Sequence, residues 1–157
     1  MPWFDDFEIG AVTDLGQHHF AADAIIGFGQ TFDPQPFHVS EVAGKASLFG
    51  GLAASGWQTA AIWQSLLARH EADTRLKAVE TGMPQPPDTL TPGASDVRWL
   101  KPVLSGDTIS YRVTIKEKTL SEANPGWGVV VARGEGFNQR GELVFHLDQR
   151  RFAKIRA

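Results

Sequence analysis

A chain of 157 residues, 42% of them hydrophobic and with a formal charge of −3, suits one globular domain with a core of its own. It has no cysteine, which excludes disulfides, thiolate nucleophiles and Cys-based zinc sites. No basic run or stripe precedes the short tail Arg150-Arg151…Lys154…Arg156, so nucleic-acid binding has no electrostatic footprint, and no apolar run approaches the roughly 18 residues of a membrane span.

The first residues, MPWFDDFEIG, are acidic and lack the apolar stretch of a signal peptide; a soluble, cytoplasmic protein is expected. Two short strands are expected near residues 9–20. Within them His18 and His19 are neighbours, so on a strand they point to opposite faces and no metal site is expected there. Ala21 to Gln30 reads as a short helix that leads into Phe32-Asp33-Pro34-Gln35-Pro36-Phe37-His38. Prolines fix φ and remove backbone donors, so this stretch is neither a helix interior nor a central strand. It sets the carboxylate of Asp33 and the imidazole of His38 five residues apart across a stiff connector. The following VSEVAGKAS resembles another short helix, capped by Ser40.

Leu52 to Arg69, LAASGWQTAAIWQSLLAR, carries apolar residues on nearly every face of its first four turns and predicts a central helix buried all round. Trp57 and Trp63 are expected in that core. Charge returns at Arg69-His70-Glu71, where the helix is expected to emerge into solvent. His70 and His146 read as surface residues. The loop Thr81-Gly82-Met83-Pro84-Gln85-Pro86-Pro87-Asp88 then separates a helix-favouring half from a strand-favouring one. Ile109 to Lys116 alternates Ile, Tyr, Val, Ile with Ser, Arg, Thr, Lys, the pattern of a half-buried antiparallel strand. Trp127–Phe137 and Leu143–Phe152 read as two more strands around the turn Asn138-Gln139-Arg140-Gly141, and Ala94–Leu100 as a fourth. Neither half forms a core alone. The expected fold is a single α+β domain over residues 1–157, an antiparallel sheet wrapped around a long central helix. Exposed sheet edges favour pairing edge to edge into a homodimer, or a dimer of dimers.

The stretch FDPQPFHVSEVAGKASLFGGLAASGW resembles the signature of the MaoC-like, (R)-specific enoyl-CoA hydratase family (hydratase 2), which has the hotdog fold. Asp33, Pro36 and His38 match its Asp, Pro and His, and Gly56 matches a glycine eighteen residues after the His. Trp99-Leu100-Lys101-Pro102-Val103-Leu104-Ser105-Gly106-Asp107 looks like the family's F-x-K-P-V-x-x-G-D run. The likeness covers roughly residues 7–153. It departs where the family usually has His-Gly-Met and this chain has Ser55-Gly56-Trp57, which bears on acyl-pocket shape.

The resemblance implies reversible hydration of a trans-2-enoyl thioester, with Asp33 and His38 as base and proton shuttle. Gly56 would offer helix-start N–H groups to the thioester oxygen, because a residue without Cβ lets a ligand approach closely. Ser55 is either the helix cap or a further donor to that oxygen. Trp57 would line the acyl site. No metal and no cofactor are expected beyond the CoA or acyl-carrier arm of the acyl-thioester substrate. Two alternatives stand beside this one. A hotdog acyl-CoA thioesterase is disfavoured by the absence of an Asp-x-x-Gly-His-Val-Asn-Asn signature, as the β-hydroxyacyl-carrier-protein dehydratases are by the absence of His-Phe-Pro. A non-catalytic acyl-thioester-binding module is the other.

Overall fold

The computed structural model describes residues 2–85, 88 and 90–156. After a single 3-10 turn at Phe4–Asp6, the amino-terminal half supplies one strand and four α-helices. Residues 9–20 form a single strand, β1 (Val12–His19), rather than two. A bulge interrupts its pairing between Asp14 and Gly16, where Gly16 takes φ +91° and donates its N–H to the Asp14 carboxylate. Helix α1 (Ala22–Phe32) ends at Asp33, and Pro36 opens the single turn α2 (Pro36–Val39), the helical position at which proline loses nothing. Ser40 caps α3 (Glu41–Ala46) by accepting the Ala43 N–H.

The long helix α4 spans Gly56–Glu80, later at both ends than its hydrophobic pattern suggests. Leu52, Ala53 and Ala54 are buried but extended: their backbone bonds go to Phe37, Val103 and Ser105, and the Ser55 cap starts the helix after them. At the far end, charge does not stop α4. It closes at Gly82 (φ +71°), where Gly82 N–H bonds Val79 O and Met83 N–H bonds Ala78 O, a Schellman ending. Nor is α4 buried all round, since Trp57 is 61% exposed and Ala61 is also exposed. Trp63 lies in the core as expected. Of the proline-rich connector that follows, Pro86 and Pro87 lie outside the described residues.

The remaining strands are β2 (Gly93–Trp99), β3 (Thr108–Leu120), β4 (Trp127–Phe137) and β5 (Leu143–Lys154). They and β1 make one antiparallel sheet in the order β1-β3-β4-β5-β2, leaving β1 and β2 as edges. One sheet face carries Ile109, Tyr111, Val113, Val130, Ala132, Phe145 and Leu147 into the core with Trp63 and Leu67 of α4. Trp63 settles on Gly134, where an added Cβ would lie 2.3 Å from the indole. Its N–H donates to Arg112 O, and the Tyr111 hydroxyl donates to Thr59 O. Helix and sheet are therefore joined by polar bonds inside an apolar contact. On the opposite face Asp148 is held by Arg133 and Lys116. His146 belongs to that face too. It is no surface residue: its side chain is 12% exposed, and its Nδ1 stands 3.7 Å from an Asp96 carboxylate oxygen. His70 is exposed, as expected.

Candidate functional site

The bend that ends α1 and starts α2 points Asp33 and His38 at each other. His38 Nε2 lies 3.4 Å from Asp33 Oδ2, with the imidazole 7% and the carboxylate 18% exposed. On its other side His38 Nδ1 stands 2.7 Å from Ala53 O. A carbonyl only accepts, so Nδ1 carries the hydrogen and Nε2 faces the carboxylate. The extended backbone of residues 52–54, which the sequence pattern assigned to the helix, is what delivers that carbonyl.

Asp33 is held by two donors. The Ser55 hydroxyl gives its hydrogen to Oδ2 at 2.7 Å, and the Gln35 amide gives one to Oδ1 at 2.9 Å. Those bonds, Ser55's first and Gln35's second, outweigh partial burial and hold the carboxyl below its ordinary range. Ser55 is the cap of α4 as well, accepting the Trp57 N–H at 3.2 Å. Its hydroxyl hydrogen is thus spent on Asp33 rather than free for a thioester oxygen. Gln35 was not singled out from sequence, although it sits between the two prolines of the same motif.

The pair opens on a cleft of about 590 Å³ lined by Phe37, Phe49, Ala54, Gly56, Trp57, Thr59, Trp99, Val103 and Val144, among others. Gly56 contributes the first N–H of α4, which has no acceptor among the described residues. The reason for glycine there is Trp99: a Cβ on Gly56 would lie 2.5 Å from the indole ring. Trp99 was the second residue missed; its only sequence signal was its place in the run before Lys101-Pro102-Val103. It meets Trp57 edge to face at 5.0 Å, so Trp57 walls the mouth of the cleft instead of joining the core. Chemically the cleft is a largely apolar slot that holds one acid–imidazole pair and the first residue of α4, with Gln35, Thr59 and Lys101 as its other polar lining. Among the described residues no cluster of His, Asp or Glu has the makings of a metal site, and no helix is long and apolar enough to cross a membrane.

A five-stranded antiparallel sheet packed against one long helix, with a polar dyad beside that helix's amino terminus, is the hotdog arrangement. The chain belongs to the MaoC-like family: the family described as "MaoC like domain" matches residues 7–127. The chain is 34% identical to a MaoC-like dehydratase from Rhodospirillum rubrum, whose crystal structure superposes with a TM-score of 0.82 over 100% of this chain and 99% of that one. The R-hydratase PhaJ1 from Pseudomonas aeruginosa shares the fold at 21% identity, with a TM-score of 0.70 over 98% of this chain and 86% of its own. An uncharacterized protein of Bacillus subtilis, YdeM, is 41% identical over 58 residues, a segment that spans 37% of this chain and 41% of that protein.

Proposed function

We propose that the protein adds water across the double bond of a trans-2-enoyl thioester, giving the 3-hydroxyacyl thioester, and catalyses the reverse dehydration. The observation that carries this reading is the 3.4 Å Asp33–His38 pair on a largely apolar cleft that Gly56, the first residue of α4, also lines. Membership of the MaoC-like family and the shared fold of an R-hydratase support it, and favour the (R) product.

The chemistry follows from the two groups. A water held between Asp33 and His38 Nε2 loses a proton as its oxygen bonds to C3. The π electrons move to Cα and the thioester oxygen, where Gly56 N–H stabilises the developing charge. Two donors already occupy Asp33, so its carboxylate has little appetite for a proton. The proton therefore goes to His38 Nε2, and Asp33 stabilises the imidazolium. His38 then delivers it to Cα, which restores both groups and completes the addition. The CoA or acyl-carrier arm of the substrate lies outside the reacting centre.

Loss of enone absorbance from crotonyl-CoA in the presence of the pure protein tests this. Asp33→Asn and His38→Ala are each expected to lower kcat by about 10²–10⁴-fold, the usual worth of positioned acid–base groups. Near-normal turnover in either variant sinks the assignment. Release of free thiol from saturated acyl-CoAs would point to a thioesterase instead, and tight acyl-CoA binding without turnover to a binding module.

A further inference from the structure

Trp99 lies on the edge strand β2, and the hydrogen bonds it starts end at the reacting pair. Its indole N–H donates to Gly56 O at 2.8 Å. That carbonyl belongs to the same peptide unit as the Trp57 N–H, which donates to Ser55 Oγ at 3.2 Å. Ser55 in turn gives its hydroxyl hydrogen to Asp33 Oδ2 at 2.7 Å, and Asp33 Oδ2 faces His38 Nε2 at 3.4 Å. The indole plane also covers Gly56 so closely that no side chain fits beneath it. One aromatic ring thus fixes the plane of the peptide through which Ser55 is oriented.

We propose that Trp99 is a positioning residue for the Asp33–His38 pair, acting through the Gly56–Trp57 peptide and Ser55. Each link is donor to acceptor in the same direction, so each polarises the next: a donor on the peptide carbonyl strengthens its N–H, and a donor on Ser55 Oγ strengthens its O–H. Trp99 touches the cleft as a wall as well, but a wall needs only a ring. The chain of bonds needs the indole N–H.

The inference rests on the hydratase reading for its kinetics and stands apart from it in its spectroscopy. Trp99→Phe keeps an aromatic ring over Gly56 and removes the donor. It is expected to lower kcat about three- to tenfold, the scale of one neutral hydrogen bond, with KM for crotonyl-CoA within about twofold. A change confined to KM would make Trp99 a wall only and overturn the proposal.

The second measurement needs no turnover. The protein has five tryptophans, and the indole N–H resonance of Trp99 can be assigned through its own backbone. Asp33→Asn removes the charge at the far end of the chain and should shift that resonance; in a Ser55→Ala background the same replacement should leave it in place. A resonance that ignores Asp33, or responds equally without Ser55, overturns the proposal even if the enzyme hydrates enoyl thioesters. An enzyme that does nothing to enoyl thioesters, yet shows the Ser55-dependent shift, keeps the positioning and loses the hydratase reading.

Discussion

At the scale of single residues, Ser55 does two jobs with one oxygen. It accepts the Trp57 N–H as the cap of α4 and donates to Asp33 Oδ2. Ser55→Ala should therefore act in two separable ways. Loss of the cap should cost about 1 kcal/mol of stability, read as a lower urea midpoint. Loss of the donor should let the Asp33 carboxyl climb back toward its ordinary range, since the Ser55 bond is the largest cause of its depression. The sign follows: a depressed carboxyl stays ionised to lower pH, so the variant should begin to protonate Asp33 at higher pH than the wild type. Its kcat/KM on the acid side should fall earlier, and superimposable acid limbs would contradict the role. The acid, the imidazole, the glycine and the serine that meet at the cleft were all singled out in the sequence, on the spacing of the proline motif and on the resemblance to the MaoC-like family. Trp99 was not, because its contact with Gly56 joins positions 43 residues apart. Nothing local to Gly56 reveals that the missing Cβ makes room for an indole.

At the scale of elements, α4 is seated by one large ring on one absent side chain. Trp63 occupies the space above Gly134 of β4, where a Cβ would stand 2.3 Å from Cε2 and 2.5 Å from Cζ2. Neither group can yield easily: the indole is 1% exposed and tied to Arg112 O, and β4 is paired on both sides. Gly134→Ala should cost about 1–3 kcal/mol as overpacking, seen as a lower urea midpoint. A wild-type midpoint would show that the sheet or helix shifts at little cost. The same two elements show what pattern reading can and cannot do. The alternation over Ile109–Ile115 marks β3 because those four side chains all turn into the core. It stops marking β3 at the bulge between Ile115 and Glu117, where the strand continues to Leu120 without a clean alternation. The helix was misread at both ends for a related reason. Burial and helicity coincide at Gln58, Thr59, Trp63 and Leu67 but part company at Leu52–Ala54, which are buried and extended, and at Ala68–His70, which are exposed and helical. Gly82 was the better signal for the end, because only its φ of +71° closes the last turn.

At the scale of the whole molecule, the chain shows more surface than a self-sufficient domain of its mass. It exposes 8719 Å². A 17.2 kDa monomer exposes about 7,800 Å² by the usual scaling of surface with mass. The excess of about 900 Å² is close to the roughly 800 Å² that each partner buries in a standard interface. β2 is a sheet edge whose residues are nearly all exposed, and at its end Trp99 (42% exposed) and Leu100 (51%) adjoin Trp57 (61%). Apolar surface of this kind beside open strand donors and acceptors is what association covers. The expected occupant is a second copy meeting β2 edge to edge, which would also enclose the mouth of the cleft between two chains. Sedimentation velocity should give about twice the 17.2 kDa chain mass at micromolar concentration. Leu100→Glu places a charge in the middle of the patch and should shift the population toward the single chain while leaving the far-ultraviolet circular dichroism unchanged, because Leu100 is held to the sheet by its backbone N–H to Val144 O rather than by its side chain. A wild-type protein that sediments as one chain, or a Leu100→Glu dimer as tight as the wild type, would move the interface off this edge.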